Sequence, residues 1–354
     1  MTSSQQRFLD IFQTQHPIIQ APMAGVQDHR LAVAVSNAGG LGSLPAAMLS
    51  LDALKAELTQ LRAKTDKPYN VNFFCHTPPT FSEAREAIWR AALKPYYDEL
   101  GLDVNNIPTG PGRAPFTHEV ADVLEAFIPP VVSFHFGLPA TDLMTRVRSW
   151  GSKIISSATT VEEALWLESQ GVDAVIAQGL EAGGHRGHFL SHDLTRQLGT
   201  FALLPQIVSA VKIPVIAAGG IADAAGVAAA MRLGASAVQV GTVYMLCDEA
   251  LTSPLHRAAL KNKNLESANS QHTTLTNLFT GRPARGIVNR LMQELSAISD
   301  KSPEFPLATG AIAPLRTAAE KIGSNDFSPL WSGQNASGCR EIGAAELTRR
   351  LMAI

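Results

Sequence analysis

Residues 177–188 have the residue types of a catalytic loop. This stretch follows an apolar run at 173–176 and contains four glycines, one glutamate, Arg186, His185 and His188. Glycine lets a backbone approach a ligand closely, and the imidazole side chain changes its charge near neutral pH. We therefore predict that the backbone of this loop approaches a ligand closely, and that Arg186 and His188 organise the loop or lie beside a phosphate.

Two glycine turns further along the chain indicate a phosphate site. Gly219 and Gly220 stand directly between an apolar run and a helix expected to begin near Asp223. The next apolar run ends in the tetrapeptide Gln239, Val240, Gly241, Thr242. Turns of this kind direct backbone N–H groups at an anion. We predict that residues 219–220 and 239–242 hold the phosphate end of a nucleotide-like cofactor.

Polar residues at the ends of other apolar runs complete the candidate site. Asn72 and Gln178 carry amides that can reach the polar edges of a ring, and Met23 follows a proline in a tight turn. The chain has neither the glycine pattern of a dinucleotide fold nor a P-loop, so flavin mononucleotide (FMN) fits better. His135 lies between two phenylalanines, where it is either a core residue or part of the substrate pocket.

Metal and cysteine chemistry are not expected. His185 and His188 have no third ligand at a suitable spacing, so no metal site is predicted. Cys75, Cys247 and Cys339 are widely separated and lack an evident base, which favours reduced structural thiols over a catalytic nucleophile.

A repeated alternation of strand and helix must position these groups. Eight short apolar runs lie at 17–23, 41–44, 69–74, 131–136, 153–157, 173–178, 214–218 and 237–240. Helical periodicity follows most of them, at 29–37, 51–63, 161–169, 201–211 and 224–233. Apolar strands that alternate with helices predict a parallel sheet, and eight such units predict an α/β protein with a (β/α)8 TIM barrel, whose active site lies at the carboxyl ends of the strands.

Two long segments interrupt this alternation. Residues 75–130 exceed one crossover and include a predicted loop at 108–112, and residues 247–330 contain helix candidates at 255–260, 287–298 and 315–322 without a clear strand. We predict three parts: an FMN-binding barrel at 1–246, a smaller, mostly helical substrate-side domain inserted at 247–330, and a C-terminal segment at 331–354. The amphipathic stretch 341–352 is expected to return as the eighth barrel helix.

Composition narrows the class of protein. The 354 residues are 45% hydrophobic and 17% charged, with a formal net charge of -2. This balance is typical of a globular enzyme and argues against a nucleic-acid or anionic-membrane partner. The first residues lack the apolar core of a signal peptide, so a cytoplasmic location is expected.

Taken together, these motifs resemble the nitronate monooxygenases, formerly called 2-nitropropane dioxygenases, and their class I branch in particular. The matching segments are QAPMAG at 20–25, GGLG at 39–42, NVNFF at 70–74, SFHFG at 133–137, AGGHRG at 182–187, AGGI at 218–221, QVGT at 239–242 and WSGQ at 331–334. The resemblance implies a TIM barrel with non-covalent FMN that oxidises alkyl nitronates with O2 to a carbonyl compound and nitrite. It implies propionate 3-nitronate as the preferred substrate and His185 as the catalytic histidine. The implied FMN contacts are Met23, Asn72, Gln178, Gly183, Gly220 and residues 239–242.

An FMN-dependent NAD(P)H reductase, of the enoyl-acyl-carrier-protein or quinone reductase type, is the alternative. Both kinds of enzyme share the Gly-Gly-His loop, whereas the segment at 133–137 is associated with the oxygenases. Arg282 and Arg285 are expected to be solvated, with the alternative that one of them binds a substrate carboxylate.

Overall fold

The computed structural model of the protein describes residues 2–107, 113–261 and 272–353. The loop predicted at 108–112 lies outside the described residues. No helix of the described part of the chain is both long enough and apolar enough to cross a membrane.

Eight parallel strands form a barrel. In chain order, the strands of the described residues are β1 (Ile18–Gln20), β2 (Gly42–Pro45), β3 (Tyr69–Phe74), β4 (Val131–His135), β5 (Lys153–Ala158), β6 (Ala174–Gln178), β7 (Gly184–His185), β8 (Val215–Ala218), β9 (Ala237–Val240), β10 (Thr273–Thr276) and β11 (Ala284–Ile287). The main sheet has the order β1-β9-β8-β6-β5-β4-β3-β2. Leu41 closes the ring, because its N–H donates to Ile18 O at 2.9 Å and its carbonyl accepts from Gln20 N at 3.0 Å. All eight predicted strands are confirmed.

Helices surround this barrel. The α-helices of the described residues are α1 (Ser3–Phe12), α2 (His29–Asn37), α3 (Leu51–Lys64), α4 (Glu83–Glu99), α5 (His118–Glu125), α6 (Thr141–Ser149), α7 (Val161–Ser169), α8 (Thr200–Ala210), α9 (Ala224–Arg232), α10 (Pro254–Lys261), α11 (Arg290–Glu294), α12 (Ala308–Lys321) and α13 (Ala344–Leu351). Side chains fix several starts: Asp223, for example, accepts from Gly226 N at 2.8 Å and begins α9. Helix α13 packs between α2 and α9. The return of the C-terminal segment as the eighth barrel helix stays a prediction.

Helix α1, which the sequence analysis did not predict, closes the amino-terminal end of the barrel. Its Phe8 and Phe12 are buried against the first residues of three strands, Val131, Ala174 and Ala237. A ligand can therefore enter only from the opposite end, where the carboxyl ends of the strands meet.

A second apolar core lies beside the barrel. It joins Trp89 and Leu93 of α4 to Phe279 and to Ile312 and Leu315 of α12. The sequence analysis did not assign α4 to this part of the molecule. The chain boundaries proposed at residues 246 and 330 stay a prediction.

The expectation that residues 247–330 lack a clear strand is wrong. Strands β10 and β11 pair with each other, and β11 also pairs with β7 in the loop after β6. The helix predicted at 287–298 is shorter, because Ile287 ends β11 and Asn289 caps the start of α11. Strands of four residues that carry threonine, arginine and glycine have no apolar run, so their pairing depends on contacts distant in sequence.

Candidate active site

A cavity of about 190 Å³ opens at the carboxyl ends of the barrel strands. All the residues predicted to contact cofactor or substrate line it: Met23, Asn72, His135, Gln178, Gly183, His185, Gly219, Gly220, Gln239, Val240, Gly241 and Thr242. Residues from six strand ends thus converge on one site, although their contacts with a ligand stay a prediction.

Glycine backbones form one end of this cavity. Gly219 has a φ of +118° and Gly220 a φ of +74°, in the left-handed region where other residues are strained. A Cβ on Gly219 would lie 2.8 Å from the hydroxyl of Thr200. Only glycine therefore allows the turn after β8 to take this shape and to leave room in front of it.

The C-terminal segment completes the same end. Gly333 donates its backbone N–H to Thr242 Oγ1 at 2.9 Å, and Asn335 Nδ2 donates to Gly220 O at 2.9 Å. A Cβ on Gly183 would lie 2.5 Å from Gly333 N, so this glycine admits the segment. Ser332 and Gly333 also line the cavity.

The loop that carries His185 is held by internal hydrogen bonds. Gln178 donates from Nε2 to His185 O at 2.9 Å and accepts from Gly187 N at 2.7 Å. The guanidinium of Arg186 is fully buried and donates to Gln178 O, Gly179 O and Gln197 Oε1. Arg186 therefore organises the loop, in agreement with the prediction.

Strand pairing fixes the position of His185. In β7, His185 pairs with Ala284 of β11, and the next residue, Arg186, donates its N–H to Pro283 O at 2.9 Å. The ring nitrogen Nε2 lies 2.9 Å from the hydroxyl of Thr280. Strand β11 and Thr280, which follow the last barrel strand in the chain, therefore supply both the backbone partner and the side-chain partner of His185.

His135 at the end of β4 lies beside the same loop. Its Nδ1 is 3.0 Å from Ser157 Oγ, and its Nε2 is 3.2 Å from the carbonyl oxygen of His185. A Cβ on Gly187 would lie 2.7 Å from the His135 ring, which explains the glycine there. His135 lines the cavity and at the same time supports the backbone of His185.

The histidines of the site are uncharged at neutral pH. Burial, followed by the charge of Arg113, holds the pKa of His185 well below its usual value of 6.5. Burial, followed by the charge of Arg282, lowers the pKa of His135 to about 3 and that of His76 to about 4. Each imidazole can therefore donate one hydrogen bond and accept another.

Aromatic rings pack around His185, and of these Phe74 and Trp331 line the cavity. Phe74, Phe136 and Phe305 cluster with ring centroids 4.9–6.0 Å apart. The ring of His185 lies 5.3 Å from that of Phe305 and 5.6 Å from that of Trp331. Apolar rings around the histidine strengthen electrostatic interactions there.

Arg113 is the charged residue of the cavity lining. Among the described residues that line the cavity, none is an aspartate, a glutamate or a lysine, and Arg113 is the one arginine. The sequence analysis missed Arg113 and Phe305, since both lie in irregular segments without a motif. The expectation that Arg282 and Arg285 are solvated is wrong: Arg285 is buried and donates to Leu180 O and Thr273 O, and Arg282 is partly buried and donates to His188 O.

Comparison with known proteins identifies the family. A profile of the nitronate monooxygenase family matches residues 5–353. The curated nitronate monooxygenase of Pseudomonas aeruginosa is 42% identical over 351 residues, which cover 98% of both chains. The nitronate monooxygenase of Paraburkholderia phytofirmans is 41% identical over 345 residues, covering 95% of this chain and 91% of the relative.

Solved structures agree with the sequence relatives. Nitroalkane oxidase from Streptomyces ansochromogenes superposes with a TM-score of 0.88 at 37% identity, covering 98% of this chain and 97% of the other. FabK from Thermotoga maritima superposes with a TM-score of 0.72 at 28% identity, covering 98% and 94%. The profile and the relatives span nearly the whole chain, and the barrel and its motifs agree with them. The chain belongs to the nitronate monooxygenase family.

Proposed function

We propose that this protein is an FMN-dependent enzyme that oxidises alkyl nitronates with O2 to a carbonyl compound and nitrite, with propionate 3-nitronate as the preferred substrate. In this reaction the α-carbon gains a bond to oxygen, its bond to nitrogen breaks, and nitrite leaves. The observation that carries the proposal is that an uncharged His185 and the glycine turns at 219–220 line one cavity. Family membership supports the reaction class.

The cavity residues fit FMN. Gln239 Oε1 is buried and has no hydrogen-bond partner among the described residues, as expected of an atom that accepts from a bound ring. The glycine turns at 219–220 and 241–242 would hold the phosphate. The ring would lie against Met23, Asn72, Gln178, Gly183 and Val240. When bound, FMN supplies the acceptor for electrons that leave the nitronate.

His185 is the proposed catalytic residue. A nitronate is an anion whose two oxygens need hydrogen-bond donors, and a neutral imidazole offers one N–H without an opposing carboxylate nearby. The same low pKa makes His185 a weak base towards a neutral nitroalkane. We therefore expect turnover of nitronates to exceed that of nitroalkanes. His135, which also lines the cavity, is proposed as part of the substrate pocket.

The decisive experiment begins with the absorbance spectrum of the purified protein. Flavin absorbance, and FMN in the supernatant after heat denaturation, would support the cofactor; protein that stays colourless after incubation with FMN would contradict it. Oxygen consumption and nitrite release are then measured with propionate 3-nitronate, ethylnitronate and 2-nitropropane. Rapid anaerobic bleaching of the flavin by NADH or NADPH would instead support the reductase alternative.

A further inference from the structure

We propose that Arg113 binds the carboxylate of the substrate and thereby makes the site selective for nitronates that carry a second, carboxylate anion. This inference rests on the proposed nitronate oxidation and assigns its selectivity to one residue. Three observations about Arg113 carry it: its missing counterion, its position relative to His185, and the different use of the neighbouring arginines.

Arg113 is a cation without a carboxylate partner. Its side chain donates from one terminal nitrogen to the hydroxyl of Thr309 at 2.8 Å, which is a neutral acceptor. No aspartate or glutamate of the described residues lies within ion-pair distance of it, and the charge that acts on it most is that of another cation, Arg316. Burial lowers the pKa of Arg113 only to about 10, so the group stays charged at neutral pH. A partly desolvated cation of this kind is stabilised by a bound anion.

The position of Arg113 suits a substrate with two anionic ends. Its guanidinium carbon lies 5.9 Å from the centre of the Phe305 ring, and that ring lies 5.3 Å from the ring of His185. Phe305 itself does not line the cavity, whereas Arg113 and His185 both do. A substrate with a short aliphatic chain in this cavity would place a nitronate at His185 and a carboxylate at Arg113.

Arg282 and Arg285 both donate to backbone carbonyl oxygens, although Arg282 Nε is buried without a hydrogen-bond partner among the described residues. Arg282 lies over the ring of Phe136 at 4.0 Å and donates to the carbonyl oxygen of His188. Arg285 donates to Leu180 O and Thr273 O. Neither residue lines the cavity. Arg113 is thus the arginine, among the described residues, that lines the cavity.

The test compares two nitronates that differ only in the terminal group: propionate 3-nitronate, which ends in a carboxylate, and 1-propylnitronate, which ends in a methyl group. The quantity measured is the ratio of their kcat/KM values in oxygen consumption by the FMN-loaded protein. We expect Arg113→Gln to lower this ratio about 10- to 100-fold, mainly through KM for the carboxylate, since a charge-assisted hydrogen bond is lost. Arg113→Lys keeps the charge without the planar fork and should give an intermediate ratio.

The matched control is Arg316→Gln, which removes a neighbouring cation outside the cavity and should leave the ratio within about twofold of the native value. An equal loss for both nitronates in Arg113→Gln and in Arg113→Lys would overturn the assignment of Arg113 while leaving nitronate oxidation intact. If the native protein oxidised neither nitronate, the proposed function itself would fall, and this inference with it. If Arg113→Gln did not fold, the ratio in Arg113→Lys would decide, because an unchanged ratio there also overturns the proposal.

Discussion

Thr280 Oγ1 lies 2.9 Å from His185 Nε2 and 3.3 Å from the carbonyl oxygen of Arg282. A hydroxyl has one proton and can donate to only one of these acceptors at a time. When it donates to Nε2, the imidazole proton is on Nδ1; when it donates to the carbonyl, Nε2 carries the proton and Nδ1 has the lone pair. The buried hydroxyl of Thr280 is therefore coupled to the tautomer of His185.

Replacing Thr280 tests this coupling. Thr280→Val keeps the shape of the side chain but removes the hydroxyl, and we expect kcat/KM for nitronates to fall about 5-fold, since one hydrogen bond contributes about 1 kcal/mol. Thr280→Ser keeps the hydroxyl and should stay within about threefold of the native protein. Steady-state oxygen consumption measures both. Equal activity of the two variants would contradict the coupling.

His185→Asn removes the proposed catalytic imidazole. We expect kcat/KM for a nitronate to fall about 10²- to 10⁴-fold, with the FMN absorbance retained, because the loop is held by Gln178 and Arg186 rather than by the imidazole. His118→Asn is the control, since the side chain of His118 is 65% exposed and outside the cavity. Unchanged turnover of both nitronates and nitroalkanes by His185→Asn would show that the assignment is wrong.

The pH profile of the native enzyme provides an independent check. The pKa of His185 is well below 6.5, chiefly because of burial, so the imidazole stays neutral as the pH falls through 6.5. We expect kcat/KM for a preformed nitronate to show no inflection near pH 6.5 in measurements between about pH 5.5 and 8.5. A loss of activity with an apparent pKa near 6.5 would indicate a solvated histidine instead.

Stability should fall in acid because several histidines are buried in the neutral form. Burial lowers the pKa of His188 to about 3 and that of His256 to about 4, as it does for His135. Between these values and 6.5 the unfolded chain binds protons that the native state does not. Each such histidine therefore removes about 1.4 kcal/mol of unfolding free energy per pH unit as the pH falls.

Denaturant unfolding as a function of pH measures this effect. His188→Asn should reduce the slope between about pH 6 and 4.5, relative to that of the native protein, by close to one proton. A slope that His188→Asn does not alter would mean that this imidazole is protonated in the native state.

Gly183→Ala tests the contact between the histidine loop and the C-terminal segment. The new Cβ would lie 2.5 Å from the backbone nitrogen of Gly333, so the segment from Trp331 to Gly333 must move away from the glycine end of the cavity. We expect weaker retention of FMN, by about 10-fold or more in Kd, and a lower Tm. Gly310→Ala, where the nearest atom would be 3.9 Å away, is the matched control. FMN affinity equal to that of the control would contradict the role of Gly183.

The barrel could be predicted from sequence because its signals are local. Apolar runs such as Tyr69–Phe74 are buried on both faces, and the helices between them show regular apolar spacing. The amphipathic stretch that forms α13 was recognisable for the same reason, although it lies about a hundred residues after β9 in the chain. Glycines such as Gly219 and Gly220 marked the cavity because only their backbone fits the turn.

The features that the sequence did not predict depend on contacts between residues that are far apart in the chain. Strand β11 forms by pairing with Gly184 and His185, and no sequence pattern from Ala284 to Ile287 predicts that pairing. Arg113 and Phe305 are 192 positions apart in the sequence, and each lies outside helices and strands. Only the tertiary structure brings the guanidinium of Arg113 next to the ring of Phe305. The sequence analysis did not predict helix α1, which closes the amino-terminal end of the barrel, because its apolar residues are few and their partners lie inside the barrel.

Because β7 pairs with β11, catalysis by His185 depends on the second apolar core as well as on the core of the barrel. The backbone of His185 is bonded to Gln178 of the barrel. Its orientation comes from Thr280 and Ala284, which belong to the segment after β9 that contributes Phe279 and α12 to the second core. Local unfolding of the segment that carries Thr280 and β11 would release the imidazole while the barrel stayed folded. Heat or denaturant should therefore inactivate the enzyme before the barrel unfolds, and exchange of the Arg186 amide, which is bonded to Pro283 O, would report the opening.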